Sequence, residues 1–200
     1  MVKPRKPCPA TTNWLSFLRN QINRSWAIDF VTVITLGFQA LYVFLVFDHA
    51  RREVLHFAII SNPAMEWVIQ QLREATSFGC QPRYLFRDND GIYGHGVSAF
   101  LLSCDMLEVR TAYQSPWQNP YIERFIGTLR RELLDHVIVL NQAHLERLLR
   151  EFIEDYYHPA RPHQGLSGDT PLPQPPPGEG EIVSVPVLGG LHHQYLRLAA

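Results

Sequence analysis

The sequence predicts an α/β domain in which helices flank a mixed five-stranded sheet. Three runs rich in β-branched and aromatic residues lie close together between residues 26 and 60. Helical and strand-like segments then alternate. Finally, two segments in the second half of the chain carry apolar residues at helical spacing. The predicted order of elements is therefore β-β-β-α-β-α-β-α-α.

The first three strands are predicted at residues 26–33, about 41–47, and 54–60. Gly37 lies between the first two, and residues 48–52 lie between the second and third. Connections this short join antiparallel neighbours, because parallel strands need a longer crossover. These strands should form an antiparallel meander.

The middle of the chain alternates between helices and strands. It contains a helix that opens at Asn62-Pro63 and ends near Gly79, a strand at 83–87, a short helix at 98–103 and a strand at 107–110. Two longer helices follow. Asn119 and Pro120 suit the N-cap and first position of one of them. The other spans about 143–156 and has the clearest amphipathic pattern in the chain.

Three regions differ in composition. Residues 1–22 form a proline-containing basic arm, 23–166 the predicted catalytic core, and 167–200 a proline-rich linker and tail. Residues 1–24 carry five basic side chains and no acid, so the arm either touches nucleic acid or is a solvated tail. The last stretch, from Ile182, is either a small strand pair or a tail.

Composition excludes several classes of protein. The formal net charge of −1 does not by itself indicate a nucleic-acid binder. The three cysteines, Cys8, Cys80 and Cys104, are odd in number and form no CxxC, which argues against a disulfide framework or a zinc module. No apolar run is long enough to cross a bilayer, and we see no signal peptide. We expect a cytoplasmic protein.

Three carboxylates lie beside apolar segments. Asp29 interrupts an apolar strand, where an ionised group is costly unless it is paired or binds a cation. Asp88 lies where a strand ends, and Glu123 lies one turn into a helix. Three acids from three elements suit Mg²⁺, which prefers oxygen ligands. Taken singly, Asp88 and Asp90 also suit a turn, and Glu123 also suits an exposed helix surface.

Such a site has a defined chemistry. Two ions roughly 3.5–4 Å apart carry phosphodiester chemistry, one at the attacking oxygen and one at the leaving oxygen. Without the ions, three neighbouring carboxylates repel one another. The metal-free site should therefore be loose or partly protonated.

Four motifs in this order resemble a known family. They are Ala27-Ile28-Asp29-Phe30, Phe86-Arg87-Asp88-Asn89-Asp90, the segment Asn119–Glu132, and the segment Tyr156–Leu166, which we name the closing motif. The chain, over about residues 20–170, resembles the integrase catalytic core of bacterial insertion-sequence transposases and retroviral integrases. These are DDE polynucleotidyl transferases with a ribonuclease H-like fold.

The resemblance implies catalytic and metal-binding roles for Asp29, Asp88 and Glu123, with two Mg²⁺ or Mn²⁺ ions. The family usually has thirty-five residues between the last two acids, and here there are 34 (123 − 88 − 1). Asp90 would leave thirty-two, so Asp88 matches better and Asp90 becomes a supporting neighbour.

Other residues are candidates for contact with DNA. Arg124, Arg130 and Arg131 suit phosphate contacts, or are solvated helix charges. Trp117, Gln118 and Asn119 precede Glu123, where they either touch DNA ends or pack a loop. The histidines lack zinc-finger spacing, so we interpret four of them as structural or surface residues: His136, His144, His158 and His163.

The resemblance implies metal-dependent DNA strand cleavage and strand transfer in transposition, by a homo-oligomer acting on element ends and target DNA. Only some twenty-five residues precede the first strand, too few for the usual helix-turn-helix region. We therefore expect either a fragment or a separate helix-turn-helix chain. The alternative is a catalytically idle remnant that only binds DNA or multimerises. A weaker third hypothesis is a ribonuclease H, for which Glu66 would supply another acid.

Overall fold

A mixed sheet of five strands forms the centre of the molecule. The computed structural model describes residues 14, 16–17, 20–77, 81–112, 115–172 and 180–198. The sheet has the order β3-β2-β1-β4-β5. Its strands are β1 (Ser25–Ile34), β2 (Ala40–Asp48), β3 (Glu53–Ile60), β4 (Tyr84–Arg87) and β5 (Leu107–Arg110).

The pairing matches the prediction from the connections. β1, β2 and β3 pair antiparallel as a meander, while β1–β4 and β4–β5 pair in parallel. The predicted mixed five-stranded sheet is thereby confirmed, and β1 is its central strand.

Four α-helices flank the sheet within the described residues. They are α1 (Met65–Thr76), α2 (His95–Ser103), α3 (Pro120–Glu132) and α4 (Gln142–Glu151), which continues as a π-helical turn at Phe152–Tyr157. The order of elements agrees with the prediction. The predicted end of the first helix near Gly79 lies outside the described residues.

The start of α2 differs from the prediction. This helix begins at His95, three residues before the predicted start at Ser98. Gly96 lies against Met65 of α1, so that a Cβ there would come 2.8 Å from the Met65 sulfur. Packing between helices therefore extends α2 through a glycine that intrinsic propensity disfavours.

Alternation along β1 divides the core into two layers. Ala27 and Val31 pack under α3 and α4, whereas Trp26 and Ile28 pack under α1 and α2. Successive strand residues point to opposite faces, so Asp29 lies on the α3 side, between Ala27 and Val31. Both faces of the sheet are covered by helices.

Two described aromatic residues of the N-terminal arm also pack on this core. Trp14 and Phe17 contact Phe86 and Tyr84, with ring centroids 5.9 and 5.3 Å apart. The arm's Lys3, Arg5 and Lys6 lie outside the described residues, as do Cys8 and Cys80.

A second, two-stranded sheet lies at the C-terminal end. It consists of β6 (Ile182–Val187) and β7 (His192–Arg197). The His192 ring stacks on Tyr156 with centroids 3.9 Å apart. Of the two interpretations of this stretch, the strand pair is correct. In the described part of the chain, no helix has the length and apolar character needed to cross a membrane.

Candidate functional site

Asp29 and Asp88 are adjacent across two parallel strands. The last parallel pair between β1 and β4 is Ala27 with Phe86, and both aspartates lie two residues beyond it. The Phe30 N–H donates to Asp29 Oδ1 at 2.8 Å. The pKa of Asp29 is raised to about 7, mainly by burial and also by the charges of Glu123, Asp88 and Asp90, against the opposing effect of the hydrogen bond from Phe30.

The loop after β4 is ordered by its own aspartates. The Asp90 N–H donates to Asp88 Oδ1 at 3.1 Å, and the Ile92 N–H donates to Asp90 Oδ1 at 3.1 Å. Both residues therefore have the turn role considered above, without losing proximity to Asp29. Burial raises the pKa of Asp88, and the negative charge of Asp90 adds to this effect.

Glu123 completes the group from the first turn of α3. Burial raises its pKa, and the charge of Asp88 raises it further. The structure thus brings Asp29, Asp88, Asp90 and Glu123, here named the acid cluster, within electrostatic range of one another.

The acid cluster offers the ligand type that a divalent cation prefers, but its carboxylates are not spaced to hold one. Its donors are all carboxylate oxygens, the ligands that Mg²⁺ prefers. Within the described residues, however, no three His, Cys, Asp or Glu side chains are arranged closely enough to hold a metal ion. Mutual repulsion between carboxylates acts against such an arrangement when no cation is bound.

A cavity of about 170 Å³ opens beside the acid cluster. Asp29, Asp88, Asp90 and Tyr93 line it. The Tyr93 hydroxyl is buried and has no hydrogen-bond partner among the described residues. Burial raises its pKa, and the three aspartates reinforce the shift. Nothing in the sequence marks Tyr93 as part of a site, since a tyrosine after a loop is usually a core residue.

Buried Arg87 anchors the loop that carries Asp88. It forms an ion pair with Glu108 of β5 at 2.5 Å and donates to the Asp88 carbonyl at 2.8 Å. The Asn89 side chain donates to the Thr111 carbonyl at 2.9 Å. These contacts fix the Asp88 backbone against the sheet.

The residues before Glu123 differ in accessibility. Trp117 is 63% exposed, which suits contact with a partner. The Gln118 side chain accepts a hydrogen bond from the Ala112 N–H at 2.7 Å. Asn119 occupies the N-cap position, but its side chain makes no cap hydrogen bond and is buried. Their roles toward DNA stay predictions.

The arginines of α3 are exposed. Arg124, Arg130 and Arg131 form no ion pair within the part of the chain that the structure describes. A Cβ at Gly127 would lie 3.0 Å from Arg131 Nη1, so the Arg131 guanidinium lies over this glycine. The Arg131 side chain therefore lies beside the space that a Cβ at this position would occupy.

His49 is a buried residue that we did not identify from the sequence. Its ring lies 5.0 Å from the rings of both Phe86 and Tyr121. Its pKa is lowered to about 3, mainly by burial and also by the charge of Arg52, against the opposing effect of the Asn119 side chain. Nothing in the sequence distinguishes this turn histidine from an exposed one.

The closing motif is tied to α3 and to the sheet. Arg161 donates two hydrogen bonds to the Glu132 carboxylate, at 2.8 and 2.7 Å. The Val54 N–H donates to His158 Nε2 at 3.0 Å, which agrees with the structural role expected of that histidine. The motif therefore fixes the C-terminal end of α3.

Comparison with known sequences supports the resemblance. The integrase core domain family matches residues 108–171, a range that contains Glu123 and the closing motif. An uncharacterised 39.2 kDa protein of insertion element IS476 from Xanthomonas euvesicatoria is 25% identical over 142 residues, covering 70% of this chain and 41% of that protein. An uncharacterised 31.7 kDa protein of insertion element IS407 from Burkholderia multivorans is 24% identical over 155 residues, covering 72% of this chain and 52% of that protein. The chain spans about half the length of these relatives.

Comparison with solved structures identifies the fold. The catalytic domain of Mos1 mariner transposase superposes with a TM-score of 0.62 at 14% identity, covering 72% of this chain and 78% of that domain. The catalytic core domain of HTLV-2 integrase, in complex with magnesium, superposes with a TM-score of 0.54 at 16% identity, covering 74% and 93%. The fold is that of ribonuclease H-like integrase and transposase catalytic cores. The resemblance inferred from the four motifs is thereby confirmed.

Proposed function

We propose that this chain is the catalytic core of an insertion-element transposase that cleaves and transfers DNA strands. Asp29, Asp88 and Glu123 are the proposed catalytic and metal-binding residues, within a core spanning residues 23–166. One observation carries the proposal. Three separate elements bring these carboxylates near one another: the charges of Glu123 and Asp88 add to the effect of burial on the pKa of Asp29, and the charge of Asp88 does the same for Glu123.

The proposed cofactor is Mg²⁺ or Mn²⁺. The HTLV-2 integrase core was solved with magnesium, and the Mos1 catalytic domain was solved with both metals. A bound divalent cation would supply charge stabilisation at the reacting phosphate. Asp29, Asp88 and Glu123 would hold it, while Arg87 and Asn89 keep the Asp88 loop in place.

The proposed substrates are element ends and target DNA. Arg124, Arg130 and Arg131 would position the phosphate backbone, since arginines without ion pairs attract polyanions. Trp117, with Gln118 and Asn119 behind it, would face the DNA end. A homo-oligomer would join two ends, with a further segment or a separate helix-turn-helix chain for end recognition. The action would take place in the bacterial cytosol, where the DNA lies.

A strand-nicking assay tests this function. The full chain is incubated with element-end DNA and Mg²⁺ or Mn²⁺, and the cleaved strands are resolved by electrophoresis. We expect wild type to nick DNA and Glu123→Gln to lose at least about 10²-fold in rate, because the charge that holds the cation is removed. Glu66→Gln removes an exposed carboxylate on α1 as a matched control.

Two outcomes decide between the hypotheses. Equal products from wild type and Glu123→Gln would show that the acid cluster does not catalyse cleavage. The same assay is repeated with an RNA–DNA hybrid as substrate. If wild type cleaves the hybrid and Glu66→Gln does not, the ribonuclease H hypothesis is favoured instead.

The second candidate is a catalytically idle chain that binds DNA or multimerises. The observation in its favour is the spacing of the acid cluster, which among the described residues does not form a ready metal site. This candidate predicts DNA binding with no metal-dependent product from any variant.

A further inference from the structure

A second cavity, of about 290 Å³, lies beside α3 and carries strong positive charge. It is enclosed by α3, the turn after β2 and the closing motif. Arg52, Arg124, Arg131, Arg161 and His163 line it, and no aspartate or glutamate among the described residues does so. We call it the basic cavity.

Most of this charge is not neutralised within the described chain. Glu132 pairs with Arg161 at 2.7 Å, but Arg52, Arg124 and Arg131 form no ion pair with any described residue. Clustered like charges repel, so three free guanidinium groups around one cavity favour an anionic ligand.

The surroundings of His163 also favour a ligand in the basic cavity. Its Nε2 atom is buried and has no hydrogen-bond partner in the part of the chain that the structure describes. Its pKa is lowered to about 4, mainly by burial and also by the charges of Arg161 and Arg52. A buried polar atom without a partner costs free energy that a ligand oxygen would recover.

Arg52 is held in position by two contacts. The Arg52 guanidinium lies 3.6 Å above the Tyr121 ring and donates to the His49 carbonyl at 2.5 Å. Arg131 lies over Gly127. A planar guanidinium held in this way offers paired N–H donors that match a phosphate group better than a flexible ammonium would.

The helix α3 links the basic cavity to the acid cluster. Arg124, Thr128 and Arg131 follow one another at helical spacing on one face of α3. Glu123 precedes Arg124, so it lies on the neighbouring face of the same turn. A strand crossing the start of α3 would meet both sites.

We propose that the basic cavity binds a backbone phosphate of the DNA strand, distinct from the phosphate that is cleaved. This proposal rests on the proposed function, because that function identifies DNA as the molecule that carries the phosphate. The volume is at the lower end of the roughly 300–1,000 Å³ typical of ligand pockets, which suits one phosphate with its sugar. Arg52, Arg161 and His163 thereby join the DNA-contacting surface.

Gly165 allows a test that removes no arginine. A Cβ there would lie 3.6 Å from Arg52 Nη2, an ordinary van der Waals distance, and the glycine does not have a left-handed φ. Gly165→Ala should therefore fold as wild type does. Gly165→Asp places a carboxylate beside Arg52, where it competes with the phosphate.

DNA binding by the full chain is measured by fluorescence anisotropy over a series of salt concentrations. We expect Gly165→Asp to weaken binding of a labelled duplex by about tenfold or more. The slope of log affinity against log salt should become shallower by about 1, the loss of one phosphate contact. Gly165→Ala should match wild type.

A second pair of variants checks the assignment independently. Arg131→Gln should reduce the salt slope in the same way. Arg147→Gln removes an equal charge from an exposed position on α4 and should leave the slope unchanged. Thermal unfolding of each variant confirms that the fold is intact.

Several outcomes would overturn the proposal. One is equal affinity and equal slope for Gly165→Asp and Gly165→Ala. Another is stabilisation of wild type, but not of Gly165→Asp, by inorganic phosphate while both bind DNA equally, which would identify a free anion as the ligand. If Gly165→Asp reduces the slope of log affinity against log salt but wild type never nicks DNA, the phosphate site is supported and the proposed transposase function is contradicted.

Discussion

The chemistry of the proposed active site depends on how Asp29 is held. It lies in the central strand with one described hydrogen bond to its carboxylate, from the Phe30 N–H. Burial and three neighbouring acids stabilise its protonated form. A cation beside the carboxylate reverses this preference, because opposite charge favours the ionised form. In the proposed site, Asp29 is therefore the residue at which cation binding would be most closely linked to proton release.

This residue gives a pH-dependence of stability in the absence of divalent cations. Burial raises the pKa of Asp29 from 3.8 to about 7, so between these values the folded state holds a proton that the unfolded chain has released. Its contribution is most favourable below pH 4 and is lost as pH rises through 7. We expect Asp29→Asn to be more stable than wild type at pH 7.5 by up to about 4 kcal/mol.

Urea unfolding in EDTA, followed by circular dichroism from pH 4.5 to 7.5, measures the difference. Asp135→Asn, an exposed aspartate, serves as the control and should follow wild type at every pH. Parallel curves for wild type and Asp29→Asn would show that Asp29 ionises normally.

Among the elements, α3 does the most to connect the parts of the molecule. Its first turn presents Glu123 to the acid cluster, its middle packs into the core through Phe125 and Leu129, and its last turn binds the closing motif through Glu132. Because one rigid helix carries these contacts, a change at its C-terminal end is expected to affect how firmly Glu123 is held.

The Glu132–Arg161 pair tests this connection. Both side chains are about one-quarter exposed and meet through two hydrogen bonds. We expect Glu132→Gln and Arg161→Gln each to lower the free energy of unfolding by about 1–2 kcal/mol, since a bidentate, partly buried pair exceeds a surface pair. In a double-mutant cycle the two losses should be clearly non-additive.

The exposed pair Arg150–Glu146 on α4 provides the matched control. Its double-mutant cycle should give at most about 0.5 kcal/mol, as for other solvated pairs four residues apart. Additive losses at Glu132 and Arg161 would mean that the closing motif is held by packing alone.

The elements themselves were largely predictable from the sequence. The first three strands were placed to within about one residue, because apolar β-branched runs with short connections leave few alternatives. The start of α2 was not predictable from the sequence, since it depends on the contact between Gly96 and Met65.

The convergence of the three acids could be predicted from the strand ends and from the resemblance. The basic cavity could not be predicted, because Arg52 and Arg161 lie more than a hundred residues apart in the sequence and meet only in the fold.

At the scale of the whole molecule, the proposed metal site spans the fold. Its three carboxylates come from β1, the loop after β4 and α3, which pack together only in the native sheet. The unfolded chain cannot present them together. Any cation that they bind therefore stabilises the native state by mass action.

Divalent cations should accordingly raise the melting temperature of the full chain. With Mg²⁺ near 100 times its dissociation constant, the stabilisation is about 2.7 kcal/mol, or several degrees for a chain of this size. Differential scanning fluorimetry with MgCl₂ against EDTA measures the shift. Glu123→Gln should lose most of it, and Glu66→Gln should keep it. An equal shift in both variants would place the cation elsewhere and leave the acid cluster without a metal-binding role, since a site that spans three elements must weaken when one of its carboxylates is removed.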